Sequence, residues 1–223
     1  MSDLLPAIEV ESGQNPSFVV IWLHGLGADG SDFEPVVPEL GLDASPGVRF
    51  IFPHAPEIPV TCNGGYVMPA WYDIISLEST RREVDENGII HSRAAIRRLI
   101  ARENGRGIPS ERIFLAGFSQ GGAIAYTTAL THPEKLAGVI ALSTYIPSAG
   151  LLTAEMSLEN QNIPIFAGHG TLDDVVSIQL GVAARDMLLA QGFKVDWHDY
   201  PMPHSVCLEE VHDIGRWLSA HIR

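Results

Sequence analysis

The sequence is poor in cysteine, in positive charge and in long apolar runs. Its 223 residues include two cysteines, Cys62 and Cys207. Neither stands at ligand spacing from a second cysteine, so neither a disulfide framework nor a cysteine-rich metal site is expected. The opening MSDLLPAIEV has no basic start and no apolar stretch after it, so no secretory leader is expected. No apolar run is long enough to span a bilayer, which argues against stable membrane insertion. Together these point to two free thiols and a cytoplasmic compartment. Lysine and arginine total 14 against 27 acidic residues, a net charge of -13. Such a chain repels phosphate, so nucleic acid and anionic membranes are poor partners. Strongly anionic substrates are disfavoured too, except where a local patch opposes the net charge. There is no internal repeat and no low-complexity stretch.

The composition that remains is globular, with 46% hydrophobic and 18% charged residues. The length fits one domain spanning residues 1–223, burying roughly 70–75% of the unfolded chain's surface. Short apolar runs occur at 17–23, 48–53, 113–118, 138–143, 163–168 and 194–200. Helical spacing occurs at 85–103, 120–131, 175–191 and 206–221, with Ile89, Ile90, Ile96, Leu99 and Ile100 on one face of the first. This alternation predicts an α/β fold, a mostly parallel sheet with helices on both faces. Residues 54–84 break the rhythm. They are rich in Pro, Gly and aromatics and predict either a surface excursion or a wall over a pocket. Tyr66, Met68, Trp71 and Tyr72 bring bulky groups there, and Trp71 and Met68 are the expected substrate contacts. No insertion is large enough for a separate cap domain, so a shallow, open site is expected.

The sharpest motif is Gly117-Phe118-Ser119-Gln120-Gly121, placed where an apolar strand meets a small-residue helix. A G-x-S-x-G in that context is a nucleophile elbow: a tight turn that exposes the serine hydroxyl at the carboxyl end of a sheet. Glycines on both sides allow close backbone approach. A serine needs a base, and in this arrangement an acid and then a histidine follow in later loops. Of nine histidines, His204 follows the last strand run and is the expected base. His198 falls inside that run and His212 inside the last helix, which reads as structural or surface. His132 stands at a helix end, where exposure is expected. The acid is Asp173 or Asp174; if Asp173 turns to the imidazole, Asp174 can open the next helix. Backbone N–H groups of Gln120 and of Leu26, within His24-Gly25-Leu26-Gly27, are the expected oxyanion donors.

Gly25, Gly27 and Gly30 also spell the G-x-G-x-x-G of dinucleotide sites. That reading needs an acidic residue at the tip of the second strand. The strand ends instead in Phe50-Ile51-Phe52-Pro53. The segment reads better as the oxyanion loop, and no cofactor is expected.

With these residues placed, the chain resembles the carboxylesterase and acyl-protein thioesterase (phospholipase/carboxylesterase) family of α/β-hydrolases. The likeness lies in LHGLGADG, NGGYVMPAWYDI, IPSERIFLAGFSQGGA, LAGVIALSTYIP, HGTLDDVV and PMPHSVCLEE, and covers nearly the whole chain. It implies an α/β-hydrolase fold, catalytic Ser119, Asp173 and His204, and oxyanion donors at Leu26 and Gln120. The family pattern H-G-x-x-D favours Asp173 over Asp174. HGTLDDVV looks more like the bacterial carboxylesterases than the thioesterases, which usually carry Pro after the catalytic Asp. The implied activity is hydrolysis of short-chain carboxylic esters of small molecules, without cofactor or metal. Thioesters and lysophospholipids are the alternative substrates, and some members are homodimers. The rival outside catalysis is a binding protein that kept the fold.

Overall fold

The computed structural model describes residues 4–44, 46–77 and 82–222. The expected wall at 54–84 therefore has four residues, 78–81, outside the described part. Along the chain run β1 (Ala7–Glu11), β2 (Phe18–Leu23), β3 (Val48–Pro53), β4 (Glu57–Val60), β5 (Tyr66–Pro69), β6 (Ile74–Leu77) and β7 (Arg82–Val84). Then come α1 (Glu86–Gly105), β8 (Ile113–Phe118), α2 (Gln120–Leu130), β9 (Gly138–Leu142) and α3 (Ala149–Glu155). The chain closes with β10 (Ile165–Gly170), α4 (Ile178–Ala190), β11 (Val195–Tyr200) and α5 (Leu208–His221).

Seven strands form one sheet in the order β1-β3-β2-β8-β9-β10-β11. All neighbours are parallel except β1 and β3. Every residue of β2, β3 and β9 is buried, as strands covered on both faces must be. The two-residue period of β2 divides its side chains between the faces. Val19, Ile21 and Leu23 pack with Ile89 and Ile96 of α1 and Ile124 of α2. Phe18, Val20 and Trp22 pack with Val211, Ile214 and Trp217 of α5.

Five features differ from the sequence pattern. β1 adds an antiparallel edge strand; its AIEVE keeps Glu9 and Glu11 toward water and over Arg49, which Glu11 binds at 2.9 Å. The 54–84 segment is two hairpins, β4–β5 and β6–β7. Between them Trp71 and Tyr72 enter the core, at 2% and 0% exposure. α3 is an additional helix, started by Ser148, whose Oγ accepts from Leu151 N–H at 3.2 Å. α4 begins at Ile178, later than its hydrophobic period suggests, because Ser177 is its cap. The Val175 and Val176 N–H groups ahead of it are taken by Asp173. Asp174 is exposed and does not open the helix. His132 is 6% exposed, not at the surface: the turn after α2 tucks beneath Asn160, whose Nδ2 donates to the His132 carbonyl at 2.8 Å.

The joint between α5 and the sheet contains a buried carboxyl. Glu210 is fully buried, and neither of its oxygens has a hydrogen-bond partner among the described residues. It fits only because β10 carries glycine beneath it: a Cβ at Gly168 would stand 2.1 Å from Glu210 Oε1. Burial, with the charge of Asp213 adding to it, pushes the Glu210 pKa to about 8. The folded protein then holds a proton that the unfolded chain releases near pH 4–5, roughly the value of a free glutamate. Through this group stability falls as pH rises between that pH and about 8. Below about 6.5, the value of a free imidazole, the buried His24, His132 and His169, whose pKa values burial lowers, act in the opposite sense. We expect chemical denaturation to show the Glu210 decline between about pH 7 and 8, above the range in which the histidines titrate, with a slope up to about 1.4 kcal/mol per pH unit. Glu210→Gln should flatten it; an unchanged slope in the variant would assign the decline to other groups.

Candidate active site

β8 ends and α2 begins within two residues, and Ser119 lies at the turn. Its backbone has φ 53°, a left-handed value that a serine adopts only under constraint. The constraint is visible on three sides. A Cβ at Gly117 would stand 2.4 Å from the Gly121 carbonyl carbon. One at Gly121 would stand 2.4 Å from the Leu23 oxygen and 2.5 Å from the His24 oxygen. β2, β8 and α2 therefore touch backbone to backbone, which side chains at these positions would prevent. Ser119 N–H donates to Leu142 O at 2.8 Å, and Thr144 Oγ1 donates to Ser119 O at 2.6 Å, so the strained residue is tied on both sides.

The hydroxyl so presented meets a chain of hydrogen bonds. Ser119 Oγ lies 2.9 Å from His204 Nε2, and His204 Nδ1 lies 2.7 Å from Asp173 Oδ2. His204 comes from the loop between β11 and α5, and its ring lies 4.7 Å from that of Phe118. Asp173 comes from the loop after β10. Its Oδ1 accepts the N–H groups of Val175 and Val176 at 2.9 and 2.7 Å. Burial by itself raises the Asp173 pKa, but the His204 hydrogen bond and charge and these two N–H groups outweigh it. The carboxyl is held below the usual range and stays ionised. Of the two aspartates left open by position, Asp173 thus adjoins the imidazole and Asp174 points to solvent. His169, at the end of β10, supports this loop. It is 1% exposed, and its Nε2 lies 2.8 Å from Val176 O.

On the other side of Ser119, Leu26 and Gln120 line the same cleft. Gln120 is the first residue of α2, so its N–H has no carbonyl one turn earlier to bond. Around Leu26 the neighbouring N–H groups are occupied, Gly27 N–H by Pro69 O at 2.8 Å and Ala28 N–H by Gly25 O at 3.3 Å. His24 sets the loop from below. Its Nε2 accepts from Ala55 N–H at 3.1 Å, which leaves Nδ1 protonated and donating to Gly25 O at 2.7 Å. Burial lowers the His24 pKa despite that bond, so this neutral tautomer persists. The chain after Gly27 forms short 3-10 turns at Glu34–Val36 and Pro38–Leu40 and opens no α-helix. The G-x-G-x-x-G string thus lacks the helix of a dinucleotide site.

Trp71 is not on the cleft wall where a substrate contact was expected. It lies underneath, donating from Nε1 to His24 O at 2.9 Å and from its backbone N–H to Gln120 Oε1 at 2.8 Å. Gln120 Nε2 donates in turn to Tyr72 O at 2.7 Å. The Trp71–Tyr72 segment therefore clamps the two loops that flank Ser119. Met68 is half-buried beside Gly27, its Sδ accepting from Asn63 Nδ2 at 3.4 Å, while the cleft itself is lined by Asn63. The cleft holds about 270 Å³. Its apolar side is Ile74, Leu77, Tyr145 and Val175, and its charged groups include Asp32 and Arg82. Residue type and spacing in the sequence did not single out His24, His169 or Arg82. Only His24 carried a signal, as part of the glycine-flanked loop. Among the described residues no group of three or more His, Cys, Asp or Glu side chains could hold a metal ion. No helix among them is long and apolar enough to cross a membrane.

Known proteins are similar to this chain along nearly its whole length. The sequence model of the phospholipase/carboxylesterase family matches residues 6–222. Acyl-protein thioesterase 1 of Neurospora crassa is 42% identical over 97% of this chain and 92% of its own. A probable carboxylesterase of Oryza sativa is 36% identical, over 99% of this chain and 84% of its own. The crystal structure of Zea mays acyl-protein thioesterase 2 superposes with a TM-score of 0.86 at 28% identity, covering 98% of this chain and 99% of that one. The chain belongs to the phospholipase/carboxylesterase family of α/β-hydrolases and is a serine hydrolase.

Proposed function

We propose that the chain hydrolyses carboxylic esters in two acyl-transfer steps, with Ser119 as nucleophile, His204 as general base and acid, and Asp173 as its orienting carboxylate. The observation that carries this reading is the unbroken line from Asp173 Oδ2 through His204 to Ser119 Oγ, at 2.7 and 2.9 Å. Ser119 Oγ bonds to the acyl carbon as its proton passes to His204 Nε2. The oxyanion that forms is received by the Leu26 and Gln120 N–H groups, already oriented by their loops. The bond to the leaving oxygen breaks, and His204 returns the proton to it. Water then repeats the sequence and frees the acid. Asp173 keeps the Nδ1–H tautomer and balances the imidazolium.

Two variants separate these roles. Ser119→Ala should lower kcat for 4-nitrophenyl acetate by about 10⁶-fold, and Asp173→Asn by about 10⁴-fold. Near wild-type kcat in Ser119→Ala would remove Ser119 from the chemistry. An inert wild-type protein would instead favour a binding role for the fold.

The cleft of about 270 Å³ supports short acyl groups and small-molecule esters as substrates. A series of 4-nitrophenyl esters should therefore show kcat/KM declining beyond medium chain length. A steady rise with length would contradict this.

A second reading, thioester hydrolysis, is favoured by the relatives named acyl-protein thioesterase 1, at 42% identity in Neurospora crassa. Asp174, which stands where such enzymes usually carry proline, is exposed and outside the hydrogen-bond chain, so it does not separate the readings. Matched acyl esters and acyl thioesters do: kcat/KM higher for the ester supports the first reading, and higher for the thioester the second.

A further inference from the structure

We propose that Arg82 makes the cleft selective for acyl esters carrying a carboxylate or phosphate group a few bonds from the scissile carbonyl. This rests on the reading of Ser119 as nucleophile and names the substrate class for that site.

Arg82 opens β7 and pairs across the hairpin with Leu77, and both side chains line the cleft beside Ser119. It is the one arginine or lysine among the described lining residues of that cleft. Among the described residues, no carboxylate lies within 4.0 Å of the guanidinium. Asp32, which also lines the cleft, is exposed to water.

The guanidinium is nevertheless held in place. Nη2 donates to the carbonyl of Val175, in the loop that carries Asp173. The group lies 4.9 Å from the centroid of the Tyr145 ring. Tyr145 is itself fixed, its hydroxyl 2.8 Å from that of buried Tyr72. A cation stacked on an aromatic face and bonded to a carbonyl loses little further freedom when it binds.

What no described residue supplies to it is an opposite charge. The terminal nitrogens can present N–H groups to the oxygens of a carboxylate or phosphate. The rest of the chain works against anions, since its net charge is -13. Screening confines that repulsion to about 8 Å at physiological salt, so a partly desolvated cation in the cleft can override it. Ile74 and Leu77 beside it offer an apolar lane for the stem that joins the anion to the reacting carbonyl.

Two matched substrate pairs test this. One places the carboxylate on the acyl side, mono-4-nitrophenyl glutarate against 4-nitrophenyl valerate. The other places it on the leaving side, 4-carboxyphenyl butyrate against phenyl butyrate. From wild type to Arg82→Met, the ratio of kcat/KM for anionic over neutral ester should fall about tenfold or more in one pair. The loss should lie in KM, and Arg82→Lys should recover part of it. Ratios unchanged in both pairs would overturn the proposal. Failure of the wild type to cleave either neutral ester is a different result and would strike the esterase reading instead. Should Arg82→Met not fold, inhibition of the wild type decides. Glutarate or inorganic phosphate should compete with substrate at least about tenfold better than glutaramide, and the better of the two identifies the anion. Equal inhibition by all three would overturn the proposal.

Discussion

The close approach of three backbones around Ser119 governs the rest of the site. β2 ends at Leu23, β8 at Phe118, and α2 starts at Gln120, all within van der Waals reach of Gly121. No side chain fits between them. The turn must therefore be made by the serine itself, at φ 53°. Strain of this kind costs of order 1–3 kcal/mol and persists only where surrounding structure enforces it. Here the enforcement comes from buried strands on both sides and from the bonds to Leu142 and Thr144. The geometric return is threefold. The hydroxyl leaves the sheet toward His204, the first N–H of α2 is left unpaired beside it, and the loop after β2 is drawn to the same point.

A second layer of polar contacts keeps those parts in register. His24, Trp71 and Gln120 form a buried set in which backbone and side chain alternate as donor and acceptor. Each member joins segments distant in sequence, so displacement of one moves both loops that flank Ser119. Buried polar networks are favourable only when satisfied, and the atoms of this one are. Glu210 is the opposite case. Its carboxyl stays buried without a partner and is best accommodated as the neutral acid. Both affect the pH response, in opposite senses: burial raises the pKa of Glu210 on α5 and lowers that of His24 in the site network.

Much of this was legible in the sequence, for physical reasons. Strands buried on both faces leave continuous apolar runs, so β2, β3, β8 and β9 were readable, as were α1 and α2. The glycines that permit the backbone contact are themselves the motif, which made Ser119 visible. His204 followed from its place after the last strand run. Other features left no trace of that kind. β1 is an edge strand of mixed polarity, and its pairing depends on a partner some 40 residues away. Trp71 read as a pocket wall because an aromatic residue in a loop carries no sign of which way it turns. His132 read as exposed because burial by Asn160 is a tertiary event. Arg82 carries no local pattern at all. Its position depends on the β6–β7 hairpin and on Val175, nearly a hundred residues further on.

The central claim is that one strained serine, and no other group, carries the acyl chain between the two steps. Trapping the covalent species tests it most directly. The protein is quenched in acid within the first turnovers of a slowly deacylating ester, and the acylated peptide is located by mass spectrometry. The account predicts one acyl group per chain, on Ser119. An acyl group on Cys62, on Ser143 or on any residue other than Ser119 would contradict it.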